Sequence, residues 1–169
     1  IVTSTSINAD QSADVYAYAI DQHGNLVTGQ TITYSVSNGS MLGSTFYPYS
    51  VGTHIVSAQW SGPSNTLTQD LSVTVSPGQA QTVELSGCDI VVNADTTCDL
   101  YATVFDQYDN LVWFDEVGTY SLSSTNGQTE KIQPNTPHSQ PPQADVLIGR
   151  FKGHDVGTWA ISITTDAGL

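Results

Sequence analysis

Residues 8–27 read NADQSADVYAYAIDQHGNLV, and residues 93–112 read NADTTCDLYATVFDQYDNLV. Eleven of the twenty positions are identical at a constant offset of 85. Chance does not align so many residues at one offset, so the chain holds tandem copies of one structural unit. Repeats of this kind are scaffolds or binding modules far more often than duplicated active sites.

The echo runs on past this stretch. Tyr34-Ser35-Val36-Ser37 is answered by Tyr120-Ser121-Leu122-Ser123, and Asn38-Gly39 by Asn126-Gly127. Phe46 and Val51-Gly52-Thr53 are answered by Phe151 and Val156-Gly157-Thr158, by which point the offset is 105. The second copy therefore carries about twenty extra residues, at about 128–149, with four of the seven prolines. That insertion reads as a long surface loop. Ser-Pro-Gly-Gln-Ala-Gln at 76–81 reads as a linker, which divides the chain into 1–78 and 79–169.

Strict alternation shows what each copy builds. Val15, Ala17 and Ala19 alternate with Tyr16, Tyr18 and Ile20; Leu100, Ala102 and Val104 alternate with Tyr101, Thr103 and Phe105. Successive strand residues point to opposite faces. Further runs at 31–37, 54–60, 67–76, 119–124, 145–151 and 159–164 are rich in Thr, Val, Ile and Tyr, the residues that fit a pleated surface. Turn clusters such as Gln22-His23-Gly24-Asn25 and Ser37-Asn38-Gly39-Ser40 separate them. Short strands at this spacing predict an all-β chain of two tandem immunoglobulin-like antiparallel sandwiches.

The run Asp14–Val27, followed by Gly29-Gln-Thr-Ile-Thr-Tyr-Ser-Val36, resembles the bacterial immunoglobulin-like (Big) repeats of invasin- and intimin-type surface adhesins. Gly157-Thr158-Trp159-Ala160-Ile161 is similar to a later motif of those repeats, with His54 in the aromatic's place in the first copy. The second copy departs at Asp109, where Gly is usual, at Trp113-Phe114-Asp115-Glu116, and in the insertion. The resemblance implies a stalk or adhesive segment without catalytic activity.

Charge narrows the partners. Sixteen acids face three bases, Lys131, Arg150 and Lys152, for a net charge of −13. Nucleic-acid affinity comes chiefly from Lys and Arg on phosphate, so nucleic acid is excluded, and an anionic membrane surface repels the chain. Proteins, neutral glycans and cations remain. No stretch is apolar enough to insert in a membrane, and no signal-peptide pattern is present. With Ile1 first, the chain is expected to be a mature product or an excerpt of a longer one with neighbouring domains.

Cys88 and Cys98 both fall in the second copy, where the first has Thr3 and Ala13. A disulfide between adjacent strands fits them better than free thiols or a metal pair, and implies an extracellular or cell-surface location. The second copy also has only eleven residues after Thr158, against twenty-five after Thr53 in the first. Its last strand is expected to be missing, through excerpting or because a neighbouring molecule supplies it.

Candidate sites are few. Asp21-Gln22-His23-Gly24-Asn25 and Asp106-Gln107-Tyr108-Asp109-Asn110 offer oxygen ligands for calcium. Asp and Asn are equally the residues of a structural turn, so no cofactor is required. Asp106, Asp109 and Asn110 make the better calcium set, and Asp21 the weaker. Asn38-Gly39-Ser40 is a glycosylation sequon or a plain Asn-Gly turn. Phe46-Tyr47-Pro48-Tyr49 and Trp113-Phe114 could stack on sugars, or pack. The four histidines, 23, 54, 138 and 154, share no catalytic motif. The expected function is a non-catalytic spacer or adhesive module. A surface-layer or fibre subunit joined through sheet edges, and a carbohydrate-binding accessory domain, are the alternatives.

Overall fold

A computed structural model describes residues 6–63, 65–88, 95–125, 127–134, 136, 138–155, 157–166 and 169. The chain forms two compact units, Ile1–Gly78 and Gln79–Leu169. Each is all-β, and together they are two immunoglobulin-like sandwiches in tandem. The repeat residues Asn93, Asn126 and Val156 lie outside the described residues.

In the first unit one sheet is built from β1 (Ser6–Asn8), β9 (Thr66–Ser76), β8 (Gly52–Ser61) and β5 (Ile32–Val36), in that order. β1 runs parallel to β9, and the other neighbours are antiparallel. The facing sheet holds β2 (Ala13–Asp14), β7 (Thr45–Tyr47) and β6 (Ser40–Leu42). A short ribbon joins β3 (Ala19–Ile20) to β4 (Leu26–Val27). Alternation places Ile7, Val56, Val73 and Val75 of the first sheet against Ala13 and Phe46 of the second. Phe46 is fully buried; removing such a side chain from water contributes about 1.5–3 kcal/mol.

The second unit repeats this plan with changes. β10 (Thr82–Gly87), β11 (Thr97–Phe105), β14 (Val146–Lys152) and β13 (Gln128–Lys131) form one sheet. β12 (Tyr120–Ser124) and β15 (Ile161–Thr165) form the other. Leu100, Ala102, Val104, Ile148 and Phe151 pack against Tyr120, with Val112, Phe114 and Val117 completing the core.

Three features differ from the sequence reading. The alternating run at 15–20 is a continuous nine-residue strand only in the second copy; in the first, ladder pairing is interrupted between Val15 and Ala19. The insertion is not all loop. Gln128–Lys131 pairs with β14, whose own first residues, Val146–Gly149, are the start of the run already read as a strand at 145–151. Trp113 precedes a 3-10 helix, Phe114–Val117, which buries Phe114 and Val117. Where β8 pairs with both β5 and β9, β15 pairs only with β12 among the described residues.

Candidate functional site

The two Asp-to-Asn turns are built alike. Asp21 Oδ1 accepts hydrogen bonds from the backbone N–H groups of His23 and Asn25, both 2.8 Å, and Oδ2 accepts one from the Asn25 side-chain amide at 2.9 Å. At the 85-residue offset, Asp106 accepts from Tyr108 N–H at 2.8 Å and Asn110 N–H at 3.0 Å, and from the Asn110 amide at 2.9 Å. Backbone bonds from Asp21 N–H to Asn25 O (2.9 Å) and from Asp106 N–H to Asn110 O (3.0 Å) close the loops. The fourth residue of each turn is left-handed: Gly24 at φ 84° and Asp109 at φ 62°. Asp tolerates that region better than most side chains, which accounts for Asp109 standing in a glycine's place.

Both carboxylates face N–H donors, as in an Asx turn. A cation at either would compete with those donors for the same oxygens. Asp109 is exposed and Asp106 buried. Asn25, through its side chain first and its backbone second, holds the Asp21 carboxyl below its ordinary value. Among the described residues no group of three or more His, Cys, Asp or Glu is placed to hold a metal ion.

Cys88 and Cys98 are disulfide-bonded, with Cα atoms 5.2 Å apart. The bond ties the end of β10 to β11, two antiparallel neighbours. Asn38 is exposed, and its side-chain amide donates to Ser50 Oγ at 2.8 Å. Its carbonyl meets His54 Nδ1 at 2.9 Å, while His54 Nε2 lies 2.8 Å from Ser50 O. Both contacts are to carbonyl oxygens, which only accept; a neutral imidazole has one N–H to give them and an imidazolium two. The buried ring thus bridges the two ends of the β6–β7 hairpin.

Of the aromatic platforms weighed for glycans, Phe46 and Phe114 are core residues. Tyr47 and Tyr49 are exposed at the surface. Trp113 serves the insertion instead: its indole N–H donates to Gln140 O at 2.8 Å, and His138 stacks on it at 4.6 Å with planes 12° apart. His138 Nε2 also reaches Asp115 at 3.0 Å. The histidine had no visible motif because its partners lie more than twenty residues away. The available signal was that Trp113–Glu116 and the insertion both depart from the repeat in the same copy.

All three bases are engaged. Arg150 Nε lies 2.9 Å from Asp99, and Lys152 Nζ 3.6 Å from Asp95. Lys131 Nζ donates to Tyr120 O at 2.8 Å and sits 4.1 Å over the Tyr120 ring. The Tyr120 hydroxyl bonds to Ile132 O and, at 2.8 Å, to Ile148 O. Burial pushes its ionisation upward.

Similarity to known proteins lies in the backbone. The chain overlays on FdeC, an Escherichia coli adhesin, with a TM-score of 0.53 and 19% identity over 99% of its length. It overlays on invasin, a bacterial integrin-binding protein, with a TM-score of 0.50 and 14% identity over 98%. The fold is one that bacterial surface proteins use. The chain spans 59% of the FdeC chain and 36% of the invasin chain. Domains 4 and 5 of the S-layer protein SbsC align at 18% identity with a TM-score of 0.39. No protein-family model matches the sequence, and no curated protein matches it.

Proposed function

We propose that this chain is a non-catalytic extracellular module of a cell-surface protein, acting as a spacer or adhesive segment in the manner of Big repeats. The observation that carries the reading is the disulfide-tied duplication. One sandwich occurs twice with the same Asp–Asn turn network, and the second copy adds a Cys88–Cys98 bond of the kind that persists outside the cytosol. Repetition of a scaffold serves reach and stiffness, and the fold shared with FdeC and invasin agrees with that use. Among the described residues no helix is long and apolar enough to cross a membrane.

Protease shaving and antibody labelling of intact producing cells test this, combined with thiol alkylation of the recovered protein. Surface access with both cysteines protected from alkylation until reduction is the expected result. An intracellular protein with two free thiols would overturn it. Cell and glycan binding by the purified chain then separates adhesive from spacer roles.

A further inference from the structure

The first unit contains no Lys or Arg, whereas Arg150 and Lys152, two of the chain's three bases, share one outward face of the second. Strands β13, β14 and β11 set them there. Their ladder places Gln128, Lys152 and Thr97 in one row and Glu130, Arg150 and Asp99 in the next. The residues between the rows turn inward. Thr129 Oγ1 donates to Leu122 O at 3.1 Å, and Phe151 and Cys98 pack in the core.

The first unit holds the same three strands without the charges. β6, β7 and β2 repeat the register, with Met41 and Ala13 on either side of Phe46 as Thr129 and Cys98 flank Phe151. At the 105-residue offset Arg150 and Lys152 correspond to Thr45 and Tyr47. Thr45 Oγ1 donates to Asp14 at 2.7 Å, where Arg150 Nε donates to Asp99 at 2.9 Å. This corner of the sandwich is therefore built without either base.

The donors of both bases are largely unspent. Arg150 gives Asp99 only its Nε–H, and its two Nη groups make no hydrogen bond among the described residues. Lys152 Nζ is 3.6 Å from Asp95, beyond hydrogen-bond length. Arg150, Lys152, Thr97, Gln128 and Glu130 line a cleft of about 520 Å³, the size of a small-molecule site.

The chemistry of the lining selects a ligand. A guanidinium terminus holds a planar carboxylate through two parallel bonds, and the Asp99 bond fixes its orientation. Beside it Glu130 accepts, while Gln128 and Thr97 both donate and accept, which suits hydroxyl groups. None of these five side chains offers an apolar surface. Glu130 and Asp99 oppose a multiply charged phosphate or sulfate. The net charge of −13 repels anions at a distance, but physiological salt screens it beyond about 8 Å. We propose that this cleft binds a uronic acid unit of a glycan, its carboxylate on Arg150 and Lys152 and its hydroxyls on Glu130, Gln128 and Thr97. The proposal rests on the adhesive half of the function proposed above and names its ligand.

Amide NMR of the 169-residue chain, titrated with a hyaluronate tetrasaccharide, tests it. Saturable shifts are expected at Thr97, Gln128–Glu130 and Arg150–Lys152. Affinity should exceed that for acetate, maltotetraose or hexaglutamate by at least about tenfold. Arg150→Thr, which installs the first copy's residue, should cut affinity at least about tenfold with the melting temperature unchanged. Arg150→Lys keeps the charge but not the fork, and should weaken binding too. Three results would overturn the proposal: no saturable shift, equal affinity for any of the three controls, or undiminished binding by either Arg150 variant. Cell binding without saccharide binding would also remove this site, while leaving the adhesive reading in place.

Discussion

Asn110 binds the Asp106 carboxylate twice over, from its backbone N–H at 3.0 Å and its side-chain amide at 2.9 Å. The pair closes a turn whose acid is 2% exposed, while its first-copy equivalent, Asp21, stands in solvent. Replacing Asp106 with Ala leaves the part-buried N–H donors of Tyr108 and Asn110 without this acceptor. Asp106→Ala should therefore destabilise the second unit by about 1–3 kcal/mol, and Asp21→Ala the first unit by less. Urea melts of both variants check the ranking; equal losses would contradict it.

The same geometry bears on calcium. Since the Asp21 and Asp106 oxygens face N–H donors, neither turn should gain stability from the ion. Melting temperature should stay level between chelator and millimolar calcium. A rise that continues with the logarithm of free calcium would reveal a site.

Asp21 makes a pH prediction with a definite sign. Its carboxyl is held below the ordinary value of 3.8, chiefly by Asn25. A group with a depressed folded value stabilises the fold above its unfolded value and loses that contribution as pH falls through the folded one. The turn should thus loosen only below about pH 4. Carboxyl-carbon NMR of Asp21 should show a low midpoint that moves up toward 3.8 in Asn25→Ala. An unchanged midpoint in that variant would refute the assigned cause.

Much of the architecture was legible in the sequence because it rests on local rules. Alternation located the strands, and the 85-residue echo identified two like units. Register was less legible. The runs at 15–20 and 100–105 have the same pattern, but only the second lies in an unbroken strand, because β10 and β14 flank it. Nothing within either run reveals its neighbours. The proline-rich insertion concealed Gln128–Lys131, a strand held by pairing with β14 rather than by its own propensity. The Trp113–His138 stack joins residues whose proximity depends on the folded path of that insertion. The Asp–Asn turns were recognised as motifs, but whether their oxygens point inward or outward is a property of the loop backbone.

Glycine at the Asn-Gly turn is required by contact as well as by conformation. Gly39 has φ 103°, and a Cβ there would lie 2.6 Å from Tyr47 O and 2.9 Å from the Phe46 ring. Gly43 has φ 63° with nothing within 4 Å. Gly39→Ala should destabilise the first unit by more than about 2 kcal/mol, against about 1 kcal/mol for Gly43→Ala. Chemical denaturation of the two variants decides; similar values would show that the close approach relaxes cheaply.

Independent, force-resistant folding of the two sandwiches is the property a spacer or stalk most requires. Pulling single molecules by their two ends, oxidised and then reduced, measures it most directly. Two separate unfolding steps are predicted, one for each unit. Reduction should lengthen one step only, by about 30 Å, since Cys88 and Cys98 are 10 residues apart, an extended chain spans about 3.3–3.6 Å per residue, and the bond itself already spans 5.2 Å between the Cα atoms. The reduced second unit should also lose about 2.5–3 kcal/mol of stability in solution. A single cooperative step for the whole chain, or extension without a resolved barrier in either unit, would contradict the account.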